Sequence, residues 1–510
     1  MKTEFDVVIV GMGPVGAAAA MFLSHEGLKV AVVEKSADVY ELPRAVALDG
    51  EVIRAFQKLG LGHKLASVVQ QVRPGERAGF ANSAREWLFG QQLVSFGRNG
   101  WAPTSMFDQP ELERFIRDEL LATTDCQVFL AEEVLEFSQT DESVKVVTDK
   151  RSLTADWMIA CDGAASPVRK SLGIGWQDLG YDHEWLVIDV TLNEGVELQP
   201  ETLQICSPDR LATYVGTKDP FRRWEFKLRD GETREQMLDD RLIEDLISPW
   251  LSPGQYELRR KAVYQFHAAT AEQWRTGRVF LAGDAAHQTP PFLGQGLNAG
   301  MRDVINLSWK LGLVHRDMCA PALLDSYEAE RLPHAQDLVE WAVTLGQLME
   351  HLAETERAVR AGEPEPELPQ QKQASGYGQG REAPPLREGV IVREQVSNTG
   401  STGYLFCQPV VSDNRGIAFR LDERMGAGFS LIRKEGATPL NEDSLTVLKK
   451  LGINQVSMEG LTVDQGRIDP LFERGSVALV RPDRYVFGHD DNDLNPDALI
   501  ASLAAKLHLR

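Results

Sequence analysis

Between Phe5 and Val10 the chain is an apolar run rich in Val, FDVVIV, that ends in glycines, and strong helix formers follow from Ala17 to Ser24. That pattern predicts a buried strand feeding a helix. Val30 to Glu34 predicts the next strand and completes a βαβ unit. From about Tyr181 to Phe266 the chain changes to short β-like runs separated by turn formers: Trp185 to Leu192, Ala212 to Gly216 and Arg223 to Leu228. This reads as a sheet-rich insertion. Strand character returns at Arg278 to Ala282, and helical periodicity follows from Ala299 to about Leu313 and from Leu323 to about Leu352.

Residues 361–389 contain GEPEPELPQQKQ and GYGQGREAPPLREG, a Pro, Gly and Gln-rich stretch that predicts a linker or surface excursion. Beyond it, Gly428 to Ile432 and Ser476 to Val480 carry strand signals of a small further domain. A chain of 510 residues is too long for one core and predicts two or three domains.

Composition narrows the partners. With 43% hydrophobic and 25% charged residues the chain reads as globular, and a formal net charge of -21 disfavours nucleic acid and anionic membrane surfaces. The five cysteines, Cys126, Cys161, Cys206, Cys319 and Cys407, form no C-x-x-C pair and no zinc-like spacing, so no metal site and a reducing cytoplasm are expected. Val7 to Leu23 is largely apolar, but Glu4 and Asp6 stand where a signal peptide is positive, and glycines interrupt the run. No other stretch is long enough to span a membrane.

Two motifs carry chemistry. Gly11-x-Gly13-x-x-Gly16, with Pro14 and Val15 inside it, follows the first strand and opens the first helix. Gly11 permits the tight turn, Gly13 lets the backbone approach a pyrophosphate, Gly16 lets helix and strand pack, and the helix N-terminus faces the phosphates. Glu34, beside Lys35, ends the second strand 23 residues after Gly11, where an acid accepts hydrogen bonds from ribose hydroxyls. The second motif is Asp284 in Gly283-Asp-Ala-Ala-His287, at a strand end suited to holding a ribityl chain, followed by Gly294-Gln295-Gly296-Leu297-Asn298 and a helix. The positive end of that helix favours a reduced, anionic flavin ring.

Together these resemble the two FAD fingerprints of the class A flavoprotein monooxygenases, the p-hydroxybenzoate hydroxylase fold. Between them, Asp162-Gly-Ala-Ala-Ser-Pro-Val-Arg169 matches that family's D-G-x-x-S-x-x-R motif at every fixed position. The resemblance covers roughly residues 5–350. It comes nearest the 3-(3-hydroxyphenyl)propionate hydroxylase type, through Pro43-Arg44-Ala45, Gln109-Pro110, Ala160 to Gly163, Leu281 to His287 and Gly300-Met-Arg-Asp303. It implies an α/β fold: a Rossmann-like FAD-binding domain of the p-hydroxybenzoate hydroxylase and glutathione reductase type, with a β-sheet substrate domain. The expected divisions are 1–75, 105–180 and 270–360 for the FAD domain, 76–104 and 181–269 for the substrate domain, and 390–510 for a thioredoxin-like tail that lacks C-x-x-C.

By family precedent Arg44 and Gln109 lie against FAD, Asp162 and Arg169 serve FAD and nicotinamide, and Pro291 to Asn298 line the flavin ring. The implied activity is hydroxylation of a phenol-like aromatic by NADH or NADPH, O2 and FAD, through a flavin C4a-hydroperoxide. No second dinucleotide fingerprint is present for the nicotinamide. Pro291 and Tyr214 are the catalytic candidates, and Tyr214, Trp224, Phe226 and Phe292 the candidates for the substrate wall. A nearby Tyr or His would deprotonate the phenol. For Tyr181, His183, Trp185, Tyr214, Trp224 and Phe226, core packing and substrate contact stay open alternatives. His287 reads as packing and hydrogen bonding, Cys161 as a small buried hydrophobe, and Glu328 to Arg331 as solvated helix charges, with Arg331 in reach of a phosphate as a lesser reading. A homodimer is a family-level expectation. The rival readings are a flavin oxidase or dehydrogenase on this fold, and a non-catalytic FAD-binding regulator.

Overall fold

The computed structural model describes residues 3–366, 383–398, 400–473 and 475–510. Phe5–Val10 is a strand with all but one residue buried, as the Val-rich centre of a parallel sheet must be when both faces are covered. Its sheet runs Arg275–Thr276, Val279–Leu281, Ser152–Ala160, Phe5–Val10, Val30–Glu34, Gln127–Leu130, with the hairpin Val134–Gln139 and Val144–Thr148 joined to Ser152–Ala160. The four pairings from Val279–Leu281 through to Gln127–Leu130 are parallel. The helices Pro14–His25, Gln109–Thr123 and Gly296–His315 supply buried apolar residues to the core around this sheet.

A second sheet runs His287–Gln288, Tyr256–Ala271, Trp176–Leu192, Phe221–Lys227, Ala212–Val215, Glu201–Ile205, Arg77–Ala81, Trp87–Gln92. Side chains alternate across it. Leu186, Ile188, Val190, Tyr214, Trp224 and Phe226 share one face, packed with Met237, Ile243 and Ile247 of two short helices. The opposite face carries Trp185, which packs with Phe292 and with Val339 and Val343 of the long helix Asp325–Ala361.

The tail has a sheet of its own, Asn454–Ser457, Ser430–Arg433, Val477–Val480, Val486–His489. Its first pair is parallel and joined through the helix Glu442–Leu451; the others are antiparallel and lead to the helix Pro496–Lys506. The tail shares a core with the rest of the chain, since Trp309 and Leu313 pack with Phe429, Leu431 and Phe487.

The stretch expected to be a linker, 361–389, differs at both ends, and its centre, 367–382, lies outside the described residues. The long helix carries on to Ala361, ending at Gly362 in a left-handed cap with φ +69°. At the other end Leu386 is buried with Ile391, Leu405 and Tyr485, and its N–H donates to Gly403 O at 2.7 Å. Prolines and polar residues set the composition, but one well-placed leucine anchors the segment.

Candidate functional site

Strand register brings the motifs together. Val10 pairs with Val33 on one side and Ala160 on the other, and Ala160 pairs with Leu281. Four neighbouring parallel strands therefore end at one edge, and Glu34, Gly11, Asp162 and Asp284 follow in the chain there. The carboxyl ends of parallel strands are where open α/β sheets bind ligands.

Glycines permit the close approach. A Cβ on Gly11, at φ +96°, would lie 2.4 Å from Cys161 O, and one on Gly16 would lie 2.0 Å from Gly11 O. The glycine loop is thereby seated against the strand that leads to Asp162. A Cβ on Gly300 would meet Val15 Cγ2 at 2.7 Å and Gly283 Cα at 3.0 Å, so the first helix, the Asp284 turn and the Gly296 helix also touch. At Gly13 and Gly296 the same atom would meet nothing within 4 Å, which leaves the backbone of both open to a ligand.

Polar groups surround this opening. Glu34 Oε2 accepts from Met12 N at 2.6 Å and Oε1 from Ser36 N at 2.8 Å, while Arg117 Nη2 donates to Met12 O at 2.6 Å. Asp162 Oδ2 accepts from Val168 N at 3.0 Å, but its buried Oδ1 has no partner among the described residues. Burial raises the Asp162 carboxyl, opposed by hydrogen bonds from Ser166 and Val168. Asp284 is reached by solvent although protein crowds it, the geometry of a cleft floor; that crowding raises its carboxyl, and His287 and Arg44 oppose the rise. Arg44, exposed and stacked over Tyr40 at 5.0 Å, is close enough to act on Asp284 across 240 positions of sequence. The open glycines, the unpartnered Asp162 oxygen and the accessible Asp284 fit an extended dinucleotide with phosphates at its centre and hydroxyls on both sides.

A family model described as an FAD binding domain matches residues 4–342, and one described as the HcaD C-terminal domain matches residues 403–506. A 3-(3-hydroxy-phenyl)propionate/3-hydroxycinnamic acid hydroxylase of Klebsiella pneumoniae subsp. pneumoniae is 33% identical, over 94% of this chain and 91% of its own. A protein of Rhodococcus jostii named "Probable NADH-specific resorcinol 4-hydroxylase" is 32% identical, over 96% of this chain and 92% of its own. The crystal structure of aklavinone-11 hydroxylase with FAD and aklavinone shares the fold, with a TM-score of 0.82 at 24% identity over 99% of both chains. The chain belongs to the FAD-dependent aromatic hydroxylases.

In this hydroxylase the residues around the Gly296 helix divide into two sets. Gln295 Nε2 donates to Asp49 Oδ2 at 3.1 Å and its Oε1 accepts from Arg302 Nη1 at 2.8 Å. Asn298 Oδ1 accepts from Asp49 N at 2.9 Å, and its Nδ2 donates to Ala47 O at 3.1 Å and Gly294 O at 2.9 Å. Both side chains are committed inside the fold, so Gln295 and Asn298 have only their backbone to offer a ligand. Gly296, Leu297 and Pro291 are half-buried at the surface of the same segment, and Gly294 turns it at φ +63°. No side chain caps the helix, and its first N–H groups have no carbonyl one turn back to bond.

Other sequence candidates fall elsewhere. Gln109 Oε1 accepts from Arg44 N at 2.9 Å and Ala45 N at 2.8 Å, so it shapes the Arg44 segment. Arg169 is buried, with Nη1 donating to Ile174 O and its guanidinium stacked over Trp176 at 4.3 Å. Pro14 opens the first helix, and Lys35 is exposed. Arg331 is buried among protein groups: its Nε donates to Asp303 Oδ1 at 3.0 Å and its Nη2 to Ala299 O. Nor are its neighbours solvated, because Glu330 is fully buried and Glu328 accepts from Trp274 N and Arg275 N. Helix charges turn inward here because two layers of chain cover them.

The catalytic and substrate-wall candidates require a larger correction. Tyr214, Trp224 and Phe226 lie in the core beneath the two short helices, on the face of the second sheet away from Phe292. The Tyr214 hydroxyl donates to Gln199 O at 2.9 Å and burial pushes it up to about 12. Cross-strand register decided this: Tyr214 sits opposite Trp224, and Phe226 follows two residues on, on the same face. Phe292 is on the other side, edge-to-face with Tyr181 and Trp185 at 5.5 and 5.3 Å.

Asp303, read in the sequence only as part of Gly300-Met-Arg-Asp303 and given no role there, positions the second motif. Its Oδ2 accepts from Gly283 N and His287 Nε2, both at 2.9 Å, and so holds the Asp284 turn. His287, stacked on Trp274 at 5.4 Å, packs and hydrogen-bonds there. The signal was present in Gly300-Met-Arg-Asp303, one helical segment past the glycines. Among the described residues no cluster of His, Cys, Asp or Glu could hold a metal ion, and no helix is long and apolar enough to cross a membrane.

Proposed function

We propose that this chain hydroxylates a phenolic small molecule with FAD, NADH or NADPH, and O2. The observation that carries this reading is the alignment of Glu34, Gly11, Asp162 and Asp284 at one edge of four parallel strands, opposite the N-terminus of the Gly296 helix. Bound FAD, once reduced by the nicotinamide, supplies the activation of O2 and the transfer of one oxygen atom to the ring.

The chain's own residues do the rest. Glu34 holds the adenosine ribose hydroxyls, and Gly11, Gly13, Pro14, Val15 and Gly16 give the pyrophosphate a backbone path onto the first helix. Asp284 accepts from the ribityl hydroxyls, with Asp303 fixing the turn that presents it. Pro291 and the backbone of Gly294 to Asn298 face the flavin ring, and the helix end beneath favours the anionic reduced form. Arg44, set by Gln109, adds positive charge on the same side. The second sheet closes over the ring and excludes water, which strengthens every polar interaction within. The tail, whose only cysteine is Cys407, has no dithiol and acts structurally on a thioredoxin-like layout. Five free cysteines suit a cytoplasmic enzyme. The homodimer expected from the resemblance is tested by sedimentation.

The deciding experiment uses purified holoenzyme and a panel of phenols, hydroxyphenyl acids and bicyclic aromatics, scored for NADH or NADPH consumption and hydroxylated product together. Stimulated consumption matched by product is the expected result. Peroxide without product for every phenol would favour an oxidase, and protein that takes up no FAD would end the reading.

A further inference from the structure

Two strips of chain near the site, Pro43–Arg44 and Pro291–Phe292, are tethered to the second sheet by side chains of one face. Arg223 Nη1 donates to Arg44 O at 2.7 Å and its Nη2 to Pro43 O at 2.9 Å. Gln204 Nε2 donates to Phe292 O at 3.4 Å, and Thr213 Oγ1 to Gln204 Oε1 at 2.8 Å. Cross-strand register sets Gln204 against Thr213, Thr213 against Glu225, and Glu225 against Val187. Glu225 therefore lies on this face between both tethers, one strand from Thr213 and two positions from Arg223 along its own strand.

Its environment is unusual. The residue is 4% exposed, yet its carboxylate oxygens are not among the fully enclosed ones, and no hydrogen bond contributes to its titration. Arg223 Nη1 stands 3.9 Å away, beyond hydrogen-bond range, and is engaged elsewhere: Arg223 Nε donates to Asp189 Oδ1 at 2.7 Å. Arg260 Nε lies 2.8 Å from Asp189 Oδ2, so two arginines share Asp189 and neither hydrogen-bonds Glu225. Buried carboxyls are ordinarily hydrogen-bonded, because leaving one without a donor is costly. Burial and Asp189 raise the Glu225 carboxyl, against Arg223 and Arg260.

We propose that Glu225 sets the substrate class of the hydroxylase: it accepts a hydrogen bond from a hydroxyl of an uncharged phenol and disfavours an anionic substituent against that face of the second sheet. This rests on the function proposed above and deepens it. A ligand hydroxyl supplies the donor the fold withholds, in a charge-assisted bond. A ligand carboxylate there would meet Glu225 with Asp189 behind it, and both arginines are already engaged by Asp189. The relatives named for a carboxylated phenol and for resorcinol are nearly equal in identity, so the choice between them lies in the pocket.

The test titrates wild-type holoenzyme, Glu225→Gln and Glu225→Leu with resorcinol and with 3-(3-hydroxyphenyl)propionate, following the flavin absorbance change and product formation. Wild type should bind resorcinol at least about tenfold more tightly than the acid, and each variant should weaken resorcinol about tenfold to a hundredfold at unchanged FAD content. Full-FAD variants that bind resorcinol as wild type does would overturn the assignment. So would a wild-type preference for the acid, which needs no variant to fold. If no phenol perturbs the flavin or draws on NADH or NADPH, the proposed function fails and takes this assignment with it. Hydroxylation with the acid preferred sinks Glu225 alone.

Discussion

Asp284 is held in the fold at a disadvantage that FAD, bound as proposed, would relieve. Crowding raises its carboxyl above the usual carboxylate value, so the folded chain favours the proton. For an acid shifted in this direction, the stability it contributes is present at low pH and lost as pH rises through the folded value. At neutral pH the ionised side chain therefore costs the apoprotein stability, a cost that ligand-binding sites commonly carry. Asp284→Asn should raise the apoprotein's melting temperature at pH 7.5 and weaken FAD retention about tenfold to a hundredfold, read by calorimetry and FAD titration. Tyr214 gives the opposite case. A phenol pushed up to about 12 and donating to Gln199 O does not serve as a base at neutral pH. Tyr214→Phe should lose about 1 kcal/mol in urea unfolding and leave kcat unchanged; a hundredfold fall in kcat would restore Tyr214 to the chemistry.

At the scale of elements, the N-terminus of the Gly296 helix is aimed by side chains that never need to touch a ligand. Asn298 joins three backbone groups, Asp49 N, Ala47 O and Gly294 O, and so ties the helix to the strand Ala47–Asp49. Asn298→Ala leaves the Asp49 N–H buried without its partner, at about 1–3 kcal/mol. The expected outcome is a loss of that size in denaturant stability with weaker FAD binding; Asn298→Asp should recover part of it, because its carboxylate still accepts from Asp49 N. Unchanged FAD affinity in a destabilised Asn298→Ala protein would remove the helix-aiming role. This element was readable beforehand, since glycines followed by an apolar period located a helix that begins three residues earlier than its first periodic position, at Gly296. The second sheet was harder to read. Its strands were visible as β-like runs, but the face given to the flavin side depends on register between strands far apart in sequence. The bulky Tyr214, Trp224 and Phe226 attracted attention for their chemistry, while Gln204, Thr213 and Glu225 on the other face read as ordinary polar positions.

Across the whole molecule, the tail is wired into the catalytic body by buried charge, a linkage that composition hides because the partners lie more than 100 residues apart. Arg481 Nη2 donates to Glu330 Oε2 at 2.8 Å and to Asp483 Oδ2 at 2.6 Å, and Lys310 Nζ donates to the same Glu330 oxygen at 2.8 Å. Asp483 reaches Trp309 on the Gly296 helix, Tyr485 reaches Glu51, and Arg54 pairs with Asp422. The partners in the central pair shift in the same direction: Glu330 is lowered to about 2, and burial lowers Lys310 to about 8. The two agree once the charges are counted, because Glu330 has two cations while Lys310 shares its one acid with Arg481. Glu330 thus contributes stability that is present above its unfolded value of 4.5 and lost as pH falls toward about 2. Lys310 has the same slope at higher pH: held below its ordinary 10.5, its charged form costs the fold stability at neutral pH, and that cost is relieved as pH rises from about 8 toward 10.5. Removing one partner of a buried pair costs about 3–5 kcal/mol, mostly by stranding the other charge. Arg481→Met should therefore destabilise the whole chain by about that much at pH 7, with FAD released in the same urea transition as the tail unfolds. The part of its stability lost between pH 4.5 and about 2 should also be smaller than in wild type, because Glu330 keeps only Lys310 and is held less far below 4.5. If the tail instead melted alone, leaving the yellow body folded, the buried charges would be local to it and not a linkage across the molecule.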